Sequence, residues 1–259
     1  MKSTPNAWKK VGSLGWLLCL MGLLCFVPAP DAVAQPTTGL TAQRSMAWGA
    51  IGLQADSGGS LNSSGIGRVN NLPAEIDANT WGERYDAALT VRYGIAFNLT
   101  DNSQLFAAGH WEQAEADDAV VGLLGGQPLS ATFDDYQGWG LDFGYRRFLR
   151  TTMSAKPFVA GSIGFQHVDS IAATLTSAPN NFIAGDVPFY DSSWVPQWRL
   201  GTGFLWDITP RWGWQFTIDV KFSGILSDQA GLGTLGFERV NDTGNRLTLP
   251  ILAGVYYKF

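Results

Sequence analysis

The chain is poor in charge and, beyond residue 34, contains no cysteine. Asp, Glu, Lys and Arg supply 15% of the 259 residues, where about 25% is usual for soluble domains. A net charge of -5 leaves no basic stripe, which excludes a binder built on phosphate neutralisation. A hydrophobic fraction of 46% excludes a disordered chain. Cys19 and Cys25 both lie near the N-terminus, so the rest can form neither a disulfide nor a thiolate metal site. Histidine is scarce, with only His110 and His167. Past residue 34 no apolar run approaches the roughly twenty residues of a membrane helix. What is plentiful is glycine (31), tryptophan (11) and phenylalanine (15), the mark of a β protein with many turns and aromatic anchors.

The first residues read as an export signal. Lys2, Lys9 and Lys10 precede an apolar or small stretch from Val11 to Val27, broken by Pro28 and Pro30. Ala32-Val33-Ala34 before Gln35 then fits the small-x-small rule for signal peptidase. An uncleaved anchor is the competing reading, and the proline break together with A-x-A argues for cleavage. Leu18 and Leu24 precede the cysteines, where a lipoprotein signal places a small residue. The expected organisation is a cleaved signal over 1–34, a short periplasmic segment over 35–45 and a membrane domain over 46–259.

That domain alternates with period two over segments of about ten residues, the signature of a membrane strand. Tyr85, Ala87, Leu89, Val91, Tyr93, Ile95 and Phe97 alternate with Asp86, Ala88, Thr90, Arg92, Gly94, Ala96 and Asn98. Because successive Cβ atoms point to opposite faces, such a ribbon separates two different solvents. The pattern recurs over Gln137–Arg146, Gln197–Asp207, Trp214–Ser223 and Leu247–Phe259, and more weakly over Met46–Ala55, Leu105–Gln113 and Phe158–Val168. Eight strands are an even number, as closure of a bacterial barrel requires. A soluble β-sandwich also alternates, but its polar face would be rich in Lys, Glu and Thr. Here that face is mostly Gly, Ala and Ser with isolated charges of both signs, which suits a crowded barrel interior. Tyr85, Tyr145, Trp194, Trp206, Trp212, Trp214 and Tyr257 gather near strand ends, as an interfacial aromatic belt does.

The connections alternate short and long. Turns fall near 100–102, 151–155 and 208–210, and long segments cover 56–84, 114–135, 169–193 and 224–245. Outer-membrane barrels keep short turns in the periplasm and long loops outside. The long segments hold fifteen acidic residues, with only Arg68, Arg84 and Arg239 as bases. They are expected to be solvated, or else bridged to outer-leaflet phosphates by divalent cations.

The last strand, with Val255, Tyr257 and the terminal Phe259 at every second place, resembles the C-terminal assembly signal of outer-membrane barrels. Taken with the export signal and the eight strands, the chain resembles the small OmpA/OmpX/OmpW-like barrel class along its mature length. The resemblance implies an all-β, eight-stranded antiparallel transmembrane barrel, inserted by the barrel-assembly machinery and surrounded by outer-membrane lipid and lipopolysaccharide. It implies no cofactor. No periplasmic peptidoglycan-binding domain is expected after the barrel.

Asp86, Arg92, Asp142, Arg146, Arg199, Asp219 and Lys221 are expected to point inward. Buried charge is costly unless paired, so a lumenal salt-bridge network that plugs the barrel is the economical account. The alternative is a selectivity ring in a narrow pore. His110 stands two places before Glu112 and His167 two before Asp169, an arrangement that suits an oriented base. No serine follows either histidine at that spacing, so both are expected to be polar strand-end residues at the membrane interface, and the chain is not expected to be an enzyme. The carboxylate pairs Asp117-Asp118 and Asp134-Asp135 lack a Gly-punctuated ligand loop and make a weak calcium site. A structural or surface-interaction role through the acidic loops leads, followed by a narrow channel for small or hydrophobic solutes, then by lipid A modification.

Overall fold

The structure is a computed structural model that describes residues 45–151, 154–226, 237, 240–241 and 244–259. The expected signal peptide lies outside the described residues, as does most of 224–245. β1 (Ser45–Gly58) rises into a first connection that folds as β2 (Ser60–Asn62), β3 (Gly65–Val69), β4 (Leu72–Ile76), β5 (Asn79–Thr80) and the one-turn helix α1 (Trp81–Arg84). β6 (Ala88–Thr100) descends and β7 (Ser103–Ala114) returns, followed by the hairpin of β8 (Ala119–Leu124) and β9 (Gln127–Phe133). Next come β10 (Tyr136–Phe148), β11 (Ala155–Val168), β12 (Ile171–Ser177) and β13 (Phe182–Tyr190). The chain closes with β14 (Ser193–Asp207), β15 (Trp212–Ser223) and β16 (Arg246–Lys258).

Eight of these strands close on themselves in the order β1-β16-β15-β14-β11-β10-β7-β6. Every pair is antiparallel, and β1 pairs with both β6 and β16, so the barrel has no edge. Closure satisfies the backbone internally, which hydrocarbon demands of any spanning segment. The burial pattern is inverted relative to a soluble protein. On β10, Leu141 and Phe143 are 53% and 64% exposed while Asp142 is fully buried. Only a wall with lipid outside and a packed interior satisfies both faces.

The first three long connections are not simply solvated, which corrects the expectation from their acidity. Segments from the first three assemble a six-stranded sheet, β13-β12-β9-β8-β4-β3, above the barrel, with β2 and β5 as a separate pair. Two tight hairpins make this possible. Asn70 and Asn71 at φ 51° and 66°, and Gly125 and Gly126 at φ 58° and 76°, supply the paired left-handed residues that two-residue turns need. The inner face of the sheet packs Leu61, Ile76, Val121, Leu124, Leu129 and Leu175 in one cluster with Tyr85, Ala114, Tyr136, Val168 and Val195 at the barrel mouth. Tyr85 is therefore buried in this cap and not part of an aromatic belt. α1 enters through Thr80, whose backbone N–H and hydroxyl both donate to the Glu83 carboxylate. The backbone donor, then the hydroxyl, hold that carboxyl below its usual range.

Candidate functional site

The lumen is filled in layers. Beneath the apolar cap, Glu112 accepts both contacts of the Lys221 ammonium at 2.7 and 2.8 Å and the Tyr136 hydroxyl at 2.9 Å. The Gln166 amide donates to the same carboxylate and to the Tyr136 oxygen. Arg246 grips Asp56 with two bonds of 2.6 and 2.8 Å, approaches Glu112 at 3.9 Å, and lies 4.1 Å over the Tyr136 ring. All the charged members of this layer carry buried side chains. Burial is tolerable because each charge meets an opposite one and the Glu112 carboxylate accepts from further donors.

One step deeper, Asp142 is the hub. It receives Arg92 at 3.1 Å, Arg199 at 3.2 Å and the Gln197 amide, with His110 Nδ1 at 3.7 Å. The other arm of Arg92 reaches Asp219 at 3.2 Å. Below lies a mainly apolar plug of Met46, Trp48, Phe106, Phe148, Phe158 and Leu205. Arg146 crosses it with its guanidinium 4.2 Å over the Phe158 ring, a cation–π contact in which burial strengthens the attraction. Its single hydrogen bond among the described residues runs to Gln215 at 3.5 Å. At the turn end Asp207 binds Lys156 at 2.8 Å and also takes Lys258 and the Tyr256 hydroxyl.

The structure thus brings together six of the seven inward charges read from the sequence: Arg92, Asp142, Arg199 and Asp219 in one layer, Lys221 in the layer above and Arg146 below. Asp86 is a correction. It precedes β6, is exposed, and its backbone N–H bonds to the Glu115 carbonyl. His110 is a second correction, because it faces the lumen and is 2% exposed. The sequence reading also missed Glu112, Asp56, Arg246, Asp207 and Lys258. Alternation could have found Glu112, since it shares the inward face of β7 with Gln104, Phe106, Ala108 and His110. Asp56 and Arg246 were hidden because they stand where strand and loop merge.

Packing in this layer is tight enough to test. A Cβ on Gly201 would overlap the Asp219 carboxylate. Gly201→Val is expected to displace Asp219 from Arg92 and to lower stability by about 1–3 kcal/mol, read as the urea midpoint of the protein refolded in vesicles. Unchanged stability would show that Asp219 has another resting place.

Outside, His167 lies within a lipid-boundary row between Trp139 and Trp194, with ring centroids 5.5 and 5.2 Å away. At the opposite pole Tyr257 packs on Trp212 at 4.8 Å and on Phe259 at 6.3 Å. Val255 and Phe259 also face outward, and the Phe259 N–H bonds to the Ser45 carbonyl at 3.1 Å. Val255, Tyr257 and Phe259, the residues whose pattern resembles an assembly signal, therefore form one outward face beside the seam with β1. Neither carboxylate pair of the second connection belongs to a metal-binding group, and no such cluster occurs among the described residues.

A closed, edge-free barrel with an apolar outer wall, aromatic rows at both ends and a packed polar interior defines the fold class: an eight-stranded antiparallel transmembrane β-barrel. No protein-family model and no curated protein matches it. Among solved structures it is similar to Neisserial surface protein A, with 13% identity and a TM-score of 0.43 over 83% of this chain and 96% of that one. It is also similar to OprG from Pseudomonas aeruginosa, with 11% identity and a TM-score of 0.41 over 84% and 96%. A third is the outer membrane protease OmpT from Escherichia coli, with 12% identity and a TM-score of 0.40 over 83% and 97%. At these values the likeness is one of fold alone.

Proposed function

We propose that the protein is a closed barrel that anchors a folded interaction surface outside the cell. The observation that carries this reading is the cap sheet. Its inner face packs into a hydrophobic core shared with the barrel mouth, while its outer face leaves Ile66 82%, Ile183 77% and Val120 55% exposed. Ile66, Val120 and Ile183 stand on β3, β8 and β13 and so span the sheet from edge to edge, and the contact surface proposed here is the outer face as a whole rather than one patch. Beneath it, the apolar cap and the ion-paired layers stand in series across any conduction path, which supports a plug and not a selectivity ring. The acidic connections, and contact of the outer wall with lipopolysaccharide, complete the surface as proposed here.

The test has two readings. The refolded chain in a planar bilayer is expected to carry no steady current; a steady single-channel current would replace this proposal with transport. Ile66→Ser, Val120→Ser and Ile183→Ser combined are expected to leave the boiled and unboiled gel mobilities unchanged while reducing adhesion of expressing cells to one another or to a host surface. Unaltered adhesion by correctly inserted protein would overturn the surface role.

A further inference from the structure

At the outer aromatic row lies a constellation that neither the plug nor the cap uses. His167 faces outward one residue before the end of β11, and Asp169 follows directly past the strand end. The register then delivers a third residue. Val168 is paired with Ser193, so the next step up sets Ser192 opposite Asp169. The Ser192 hydroxyl lies 3.1 Å from His167 Nε2, and His167 Nδ1 lies 3.4 Å from Asp169 Oδ1. The Nδ1 atom is itself shielded from solvent and has no hydrogen-bond partner among the described residues. Among those residues the acid that approaches it is Asp169, as an ion-pair contact without hydrogen-bond geometry, and its charge favours the tautomer with the proton on Nδ1, which leaves Nε2 free to accept from Ser192.

The location is as telling as the order. Ser192 is exposed. Trp139 and Trp194 flank the histidine in a T-shaped contact of 4.9 Å, and tryptophans of this kind mark the level of the headgroups. Directly below, Leu141, Ile163 and Phe165 present bare apolar side chains to the hydrocarbon. A nucleophile at that depth meets the ester linkages of an amphiphile whose chain lies along those residues.

We propose that Ser192, His167 and Asp169 form a hydrolase site on the outer rim that cleaves acyl esters of amphiphiles in the outer leaflet. Ser192 Oγ attacks the ester carbonyl and gives its proton to His167 Nε2. The carbon–oxygen bond to the alcohol breaks, and the alcohol leaves with that proton. Water then attacks the acyl-serine and passes a proton to Nε2, and the fatty acid departs as Oγ regains its hydrogen. Ser192 and His167 are the catalytic residues, and Asp169 is a positioning residue. This goes beyond the surface role, which concerns a different part of the molecule.

The test uses the full chain refolded in phospholipid vesicles. A fluorophosphonate probe is expected to label Ser192, located by peptide mass spectrometry, and methylumbelliferyl palmitate in the bilayer is expected to be hydrolysed. Ser192→Ala should abolish both, and His167→Gln should reduce turnover about a hundredfold or more. Asp169→Asn should reduce kcat at least about tenfold with KM unchanged. Gel mobility of each variant reports folding independently. Absence of Ser192 labelling in folded protein, or equal hydrolysis by Ser192→Ala, overturns the site. Turnover of soluble methylumbelliferyl acetate alone overturns the membrane amphiphile as its substrate class. Adhesion assays on the cap-face variants are unaffected by either result.

Discussion

Replacing Glu112 by alanine is expected to cost about 3–5 kcal/mol of barrel stability, the usual penalty for removing one partner of a buried pair. Glu112 is fully buried and holds Lys221 through both oxygens. Arg246 keeps Asp56 after the change, so the uncompensated charge falls on Lys221. That asymmetry supplies the control. Glu112→Ala combined with Lys221→Met should recover most of the loss, because an apolar chain of similar length needs no counter-charge. Urea unfolding of the refolded protein in vesicles, followed by tryptophan fluorescence, measures both. A single-variant loss under about 1 kcal/mol would mean that water screens the pair, and the lumen would then be wet at this level.

The second large effect is expected in the cap. Trp81 is fully buried and packs against Tyr85 (tilted), Tyr136 (edge-on) and Tyr190 (stacked) with ring centroids at 5.4, 5.6 and 6.3 Å. Its indole N–H donates to the Asn245 carbonyl at 3.0 Å, and Arg246 lies 5.3 Å over its ring. Trp81→Ala should cost about 3–5 kcal/mol, since loss of a buried tryptophan leaves a large cavity. The loss should fall on the cap alone. Its strands are tied by local hairpins, whereas the barrel strands have closed hydrogen-bond ladders of their own. Hydrogen exchange should therefore quicken at the amides of β5 and β8 and remain slow in β10 and β14. Equal quickening in both would show one cooperative unit.

How much of this was legible along the chain depends on the range of the interaction that produced it. Alternation is a property of neighbouring residues, so Leu141, Phe143 and Tyr145 facing out and Asp142 and Arg146 facing in can be read without a structure. The same rule misled where a strand begins late: Tyr85 and Asp86 continue the pattern in sequence but precede β6, because the chain there turns into the cap. The acidic, Gly- and Asn-rich look of the connections hid their strands, although Asn70-Asn71 and Gly125-Gly126 were turn signals of the right kind. Their apolar residues are short runs spread over three connections, and only when pooled do they make a core.

The sequence by itself determined that this is a lipid-facing wall, which side of each strand meets the lipid, and which end of the barrel carries the long connections. The reason is that side-chain direction in a strand follows from period two alone. Only the tertiary structure decided which acid meets which base. Arg92 and Asp219 are 127 residues apart, and Lys221 and Glu112 are 109 apart; closure and register bring them to one level. The same is true of Ser192, which stands beside His167 because two antiparallel strands meet in one register and not in the next.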